Sequence, residues 1–392
     1  MTFSKRTRFR PAKRVLQVAV AAVLCLPLIH FVSVKLAPKP HEVDRTTDEW
    51  KAREKLIARA KVFVPNPPDI GTLDLSRPWN ETDGLAPAAV TECRYVAKPI
   101  GATTPKFDCR LANGDIVKVK YGRTPERHAE VAATRVLAAL GFAADRTMMA
   151  PKLRCIGCPP YPFQTRMIAE WFFATPLYDR LFDTDAPREF EWVSVERKMP
   201  GRAIEVGLFE GWDWSELKLV DPGKGGASRA ELDALRLVAM FLSHWDNKAA
   251  NQRLVCEPGE GEGDPRAPCR SPLLMVQDVG ATFGPTKVRY EEWAATPIWA
   301  DTAGCIVSLD DMPYKGGHFQ PTQILEDGRR LLADRLSQLS ESQIRTLFET
   351  ARFPDPSTGE AGDVSGWVRV FQDKVRQIAA RPACPRLIDG AR

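Results

Sequence analysis

The segment His244-Trp245-Asp246-Asn247-Lys248-Ala249-Ala250-Asn251, followed by Gln277-Asp278-Val279-Gly280, constrains this chain more than any other feature of it. Transfer of a phosphoryl group needs one carboxylate to take the proton of the acceptor hydroxyl. It also needs an Asn and a further carboxylate to hold a divalent cation against the phosphates. Asp246 and Asn251 stand in one tight loop, Asp278 follows downstream, and Lys248 lies beside the proposed base. The flanking pattern fits this use. Ser228 to Ser243 carries Leu232, Leu235, Val238, Ala239 and Leu242 at helical spacing, so the loop is expected to end a buried helix. Ser271 to Gln277 reads as a short apolar strand that delivers Asp278 at its C-terminal end. Asp, Asn and Gly are also what ordinary turns select, so the force lies in finding both segments in this order on these elements.

The chain has 392 residues and a formal net charge of +5. Much of that charge sits in Lys5, Arg6, Arg8, Arg10, Lys13 and Arg14, and no basic stripe with interleaved aromatics appears later. Nucleic acid is therefore not an expected partner. The basic head, residues 1–14, precedes an apolar run from Val15 to Val34, and about 20 residues is enough to span a bilayer. An uncleaved signal anchor over 15–37 is expected, with the head cytoplasmic and the main domain in the periplasm or a secretory lumen. A cleaved signal peptide is the alternative, opposed by the poor cleavage site at Lys35-Leu36-Ala37. A lipoprotein site at Cys25 is weakened by the bulky Leu24.

Beyond Cys25, the cysteines are Cys93, Cys109, Cys155, Cys158, Cys256, Cys269, Cys305 and Cys384, an even set that favours disulfides in an exported domain. Many pairings are possible. Proximity favours Cys93 with Cys109, Cys155 with Cys158 and Cys256 with Cys269, leaving Cys305 with Cys384. For Cys155-Ile156-Gly157-Cys158 a redox pair or half of a zinc site is the alternative, with no second C-x-x-C or neighbouring His in sequence to complete a metal set.

Residues 38–92 read as a stalk and linker, rich in Pro, Asp and Gly past Pro65. Short strands and one helix follow. Asp115 to Gly122 alternates as a strand with Lys118 and Lys120 on one face. His128 to Phe142 reads as a helix with Glu130 in its first turn. A strand lysine on the nucleotide phosphates, oriented by that Glu, would complete the site; Lys120 is the first choice and Lys118 the alternative. Pro99 to Lys106, with Gly101, Thr103, Thr104 and Lys106, is either a phosphate-covering loop or a plain hairpin turn. Glu257 to Ala267 reads as an exposed insertion.

Two segments resemble the secretory-pathway kinase family that includes the Golgi casein kinase and the proteoglycan xylosylkinase. Glu126-Arg127-His128-Ala129-Glu130-Val131-Ala132-Ala133, running to Leu140-Gly141-Phe142, is similar to that family's helix, one residue shorter before the Ala-Glu pair. Asp278-Val279-Gly280-Ala281-Thr282-Phe283-Gly284 is similar to its metal-binding segment. The resemblance implies an α+β, two-lobed protein-kinase-like fold. A small sheet-rich lobe would occupy 93–176 and a larger, mostly helical lobe 177–392, behind the transmembrane helix. It implies ATP with Mg2+ or Mn2+, Asp246 as catalytic base, Asp278 as a metal ligand, and a hydroxyl acceptor, whether protein, glycan or lipid head group. Asn251 instead resembles the metal-binding Asn of ordinary kinases, where the secretory family often has a different residue, and Lys248 matches the Lys that Ser/Thr kinases keep beside the transferred phosphate, which adds Asn251 to the metal ligands and Lys248 to the catalytic residues. Trp245 stands where ordinary kinases keep an Arg, so control by a phosphorylated activation loop is not expected. The alternative function is a pseudokinase or nucleotide-sensing scaffold.

Overall fold

The computed structural model describes residues 20, 25–29, 44–77, 90–99, 103–181, 184–257, 260, 268–285, 287–310, 312, 317–353 and 363–386. Five strands form a closed barrel in the order β1-β2-β3-β5-β4: β1 Thr91–Val96, β2 Lys106–Arg110, β3 Ile116–Lys120, β4 Arg146–Ile156 and β5 Pro187–Arg197. All neighbours are antiparallel except β1 and β4, which run parallel and close the barrel with Cys93 opposite Cys155. Alternation sorts the two faces, interrupted on β4 and β5 where the register skips from Ala150–Val193 to Lys152–Glu191. Phe107, Val117, Val119, Met148, Leu153, Val193 and Val195 pack inside, while Lys106, Lys118 and Lys120 fall on the opposite face.

Helix α1, Asp48–Ile57, precedes the barrel. Helix α2, Glu126–Ala139, connects β3 to β4 and packs on both β4 and β5. Two short helices, α3 Pro162–Trp171 and α4 Thr175–Leu181, fill the connection from β4 to β5. Among the described residues, the rest of the chain combines helices and irregular segments with two two-stranded ribbons, β6 Gln252–Cys256 with β7 Pro272–Val276 and β8 Ile306–Val307 with β9 Thr322–Gln323. Its helices are α5 Arg229–Phe241, α6 Tyr290–Ala295, α7 Glu326–Leu336, α8 Glu341–Thr350 and α9 Val364–Ala379. Helix α5 begins as its sequence dictates. Ser228 caps the amide of Glu231 and the Glu231 side chain returns to the amide of Ser228.

The core of this half is aromatic. Phe241, Phe283, Trp293, Phe348, Phe353, Trp367 and Phe371 meet largely edge to face, with centroids 4.8–6.4 Å apart. Residues 44–77 lie against it. Arg53 is buried in an ion pair with Glu216 and donates to the carbonyl of Gly211 at 2.6 Å, and the carbonyl of Leu75 accepts from Arg135 of α2 at 3.0 Å.

Two expectations are corrected. The expected fold, an α+β, two-lobed kinase-like chain with a small sheet-rich lobe followed by a larger helical one behind a membrane helix, gives way to a mixed α/β chain whose sheet closes into a five-stranded barrel. Closure uses the eleven-residue strands β4 and β5, because long twisted strands curl far enough for β4 to meet β1. The barrel therefore reaches to Arg197, well past residue 176. The expected transmembrane helix is corrected as well. Among the described residues no helix is long and apolar enough to cross a membrane. Within 15–37 only residue 20 and the helical residues 25–29 are described, and the rest of that expected span lies outside the described residues. Anchoring through that helix, and the single-pass membrane location inferred from it, are thereby withdrawn.

Four sulfur pairs link Cys93 to Cys109, Cys155 to Cys158, Cys256 to Cys269 and Cys305 to Cys384, with Cα atoms 5.5–5.8 Å apart.

Candidate functional site

Lys120 ends β3 on the face away from the barrel core and is almost completely buried. Its Nζ donates to Glu130 of α2 and lies 3.4 Å from Glu126 Oε2 and 3.5 Å from Asp278 Oδ1. Burial alone would pull the Lys120 ammonium down. The carboxylates of Glu130, Asp278 and Glu126 outweigh it and hold the pKa well above the usual lysine value. Glu126 precedes Glu130 by one helical turn, so both carboxylates project from the same face of α2. Glu126 also meets Lys287 at 2.5 Å. Burial drives the Glu130 carboxyl upward against the opposing pull of Lys120.

The neighbouring Lys118 is held differently, donating to both oxygens of Glu196 on β5 at 2.7 and 2.9 Å. Lys106 of β2 faces the same side, opposite Lys120 in register. It has no ion pair among the described residues, and burial, with Lys118 and Lys120 beside it, lowers its pKa. Thr104 is buried next to Glu126 and contributes a hydrogen bond to it. Thr103 is exposed, and Gly101 lies outside the described residues.

Asp278 follows β7 with φ of 50°, a left-handed conformation that non-glycine residues seldom take without a local reason. Here the reason is the turn that directs its carboxylate at Lys120. Burial raises its pKa, but Lys120, Lys118 and Lys106 dominate and hold it well below the usual carboxylate range. The side chain keeps 35% exposure, and among the described residues Oδ2 has no hydrogen-bond partner. Behind Asp278 the chain passes close under α2. A Cβ on Gly280 would sit 3.1 Å from both Cβ and Cγ of Glu126, so this glycine sets how closely the loop and the helix approach. The loop is then tied to the helical half by the Phe283 amide, which donates to the carbonyl of Leu242 at 2.8 Å.

The loop after α5 holds the other residues. Asp246 Oδ1 meets Lys248 Nζ at 3.2 Å. Asn251 Nδ2 donates to the Asp246 carbonyl at 2.6 Å, which leaves its Oδ1 uncommitted among the described residues. The Asn251 carbonyl accepts from the Gln277 amide at 3.1 Å, joining this loop directly to the Asp278 segment. Asn247 is structural, because its Oδ1 accepts the amides of His318 and Phe319 at 2.7 and 2.8 Å. His244 is fully buried, and burial lowers its pKa to about 4.

The structure thus gathers Lys106, Lys118, Lys120, Glu130 and Asp278 into one charged cluster, with Asn251 joined to it through Gln277. Four residues were missed from sequence: Glu126, Lys287, Glu196 and Asp145. Only Glu126 had a signal, its spacing from Glu130 on one helix face. Glu196 and Asp145 come from strand pairing and chain reversal, which leave no local pattern. Together with Glu130 and Asp278 they line a small cavity of about 10 Å³. Oxygen donors in ionised or uncommitted form, Asp278 Oδ2 and Asn251 Oδ1, are the set that a hard divalent cation such as Mg2+ or Mn2+ takes.

No family model matches the chain, and no curated protein matches it in sequence. It is similar to the solved structure of a Helicobacter pylori proinflammatory kinase, CtkA, at 8% identity and a TM-score of 0.42, covering 74% of this chain and 97% of that one.

Proposed function

We propose that the chain is an ATP-dependent phosphotransferase acting on a hydroxyl acceptor. The observation that carries this is the buried Lys120 held by Glu130 and facing Asp278. A buried ion pair of this kind contributes little net stability after desolvation, so its presence favours a role at a ligand. Lys120 would meet the nucleotide phosphates, with Glu130 and Glu126 fixing its direction. Lys106, a half-buried cation without a carboxylate of its own among the described residues, adds positive charge where phosphate would lie. Asp278 and Asn251 would hold Mg2+ or Mn2+, which supplies charge neutralisation of the phosphates when bound. Asp246 would accept the acceptor proton, with Lys248 beside the transferred group. The likeness to secretory-pathway kinases belongs to this proposal and rests on segments 126–142 and 278–284.

The test is titration of Mg-ATP and Mn-ATP onto the purified chain with two variants. Asp278→Ala is expected to lose metal-dependent nucleotide binding, whereas Asp246→Ala keeps binding and loses transfer. Wild-type binding by Asp278→Ala would reject the site. Nucleotide binding with no transfer to any hydroxyl acceptor would favour the nucleotide-sensing scaffold.

A further inference from the structure

On the face of the sheet opposite the lysines, the barrel brings four buried cysteines together. Cys93 and Cys155 are register partners on the parallel strands β1 and β4. Cys109 reaches them from β2 through its bond to Cys93. Cys158 returns to Cys155 through a turn in which Gly157 takes φ of 75°. The two disulfides touch. Cys109 Sγ lies 3.8 Å from Cys155 Sγ, and the sulfurs of Cys93, Cys109 and Cys155 all lie within 4.8 Å of one another. No other group of three or more possible metal-binding side chains is this compact among the described residues. The Cys256–Cys269 and Cys305–Cys384 pairs have no third cysteine beside them.

We propose that this cluster has a second state, in which the reduced sulfurs of Cys93, Cys109, Cys155 and Cys158 bind one zinc ion as a tetrahedral four-thiolate centre. Four zinc–sulfur bonds of about 2.3 Å place the sulfurs about 3.8 Å apart, which is the spacing already present between Cys109 and Cys155. The remaining adjustments are the parting of two bonded sulfur pairs and the approach of Cys158, whose sulfur lies outside the compact set of three, toward Cys93 and Cys109. Strands β1 and β2 for the first pair, and the turn after β4 for the second, already hold the corresponding Cα atoms 5.6 Å apart. A four-thiolate zinc centre carries net negative charge, and Arg188, opposite Cys155 in register, stands at its edge with Nε donating to the Cys158 carbonyl at 2.9 Å. A dithiol reductant delivers two electrons and two protons to each disulfide and is itself oxidised to a disulfide. Zinc then displaces the four thiol protons to solvent. The barrel is stapled in either state, by two sulfur–sulfur bonds or by one metal.

The test uses the full chain, reduced with a dithiol, desalted without oxygen and titrated with Co2+ and then Zn2+. One cobalt per chain is expected, with the visible bands of tetrahedral thiolate coordination and their loss when zinc displaces it. Cys93→Ser and Cys158→Ser should each weaken binding at least tenfold, while the double variant Cys256→Ser/Cys269→Ser binds as wild type. A reduced, folded chain that takes up no stoichiometric cobalt overturns the proposal, as does binding that survives Cys93→Ser. A reduced chain that unfolds and is not refolded by zinc also overturns it, because a centre of this kind stabilises the fold that holds it. Nucleotide binding plays no part in these readouts.

Discussion

The barrel and the helical half stabilise themselves by different means. The barrel core is small and mixes aliphatic residues such as Val119, Met148, Leu153 and Val195 with Phe107, Tyr121 and Phe163, and one disulfide joins β1 to β2 while another closes the turn after β4. Its outer face carries the three lysines. The helical half has a large core whose centre is a continuous set of edge-to-face aromatics. Helix α2 belongs to both. It covers β4 and β5, yet His128 Nδ1 pairs with the Ala351 carbonyl at 2.8 Å beyond the end of α8, and Arg352 stacks over Trp192 of β5 at 3.6 Å. A charged surface that must be partly buried is costly to build on a small core alone. The position of Glu130 is therefore set by the stable half, while Lys120 comes from the weaker one.

The largest test of this contrast is in the cores. Phe371→Ala is expected to cost about 3–5 kcal/mol, and Val195→Ala about 1.5–2 kcal/mol, both measured by denaturant unfolding. Equal costs would mean that the barrel is no weaker than the helical half. Next comes the charged face. Lys120→Met should reduce nucleotide affinity by about 10²-fold or more, as expected for loss of a desolvated electrostatic contact, and Lys118→Met by much less, because the Lys118 ammonium is committed to both oxygens of Glu196. A larger effect at Lys118 would reassign the phosphate-binding lysine.

Acid should separate the halves by sign. His244 titrates near 6.5 when unfolded and at about 4 when folded. Between these values the unfolded chain binds the extra proton, so stability from this residue is lost as pH falls, by about 3 kcal/mol, and the loss levels off below about pH 4. Asp145, at the barrel edge, has the opposite slope. Burial raises its folded pKa, so the folded state binds the extra proton and this contribution grows as pH falls through the same range. Unfolding curves from pH 7.5 to 4 should therefore flatten in His244→Phe and steepen in Asp145→Asn. The same slope in both variants would refute the assignment. The smallest effect is expected at the seam. Gly280→Ala asks Glu126 to retreat by a few tenths of an ångström and should cost roughly tenfold in nucleotide affinity at most, or about 1.4 kcal/mol, with little change in unfolding midpoint. A drop in stability without loss of binding would show that Gly280 serves packing rather than the site.

Local chemistry in the sequence was sufficient for the elements that carry the site. The period-2 strand at 115–122, the capped helix ending near Leu242 and the apolar strand before Asp278 are all set by neighbours along the chain, through hydrogen-bonding periodicity and capping. The candidate residues Lys120, Glu130, Asp246, Asn251 and Asp278 could be named for the same reason, since each sits at a fixed offset from a recognisable element. Tertiary structure alone decided what those offsets cannot encode. That the sheet closes is a matter of strand length and twist accumulated over β4 and β5. Lys118 rather than Lys120 belongs to Glu196 because β3 pairs with β5, which lies more than seventy residues further on. Four cysteines spread from 93 to 158 meet because β1 lies parallel to β4. Each of these is a contact between segments that have no sequence relation to each other, chosen by burial and register after the local elements exist.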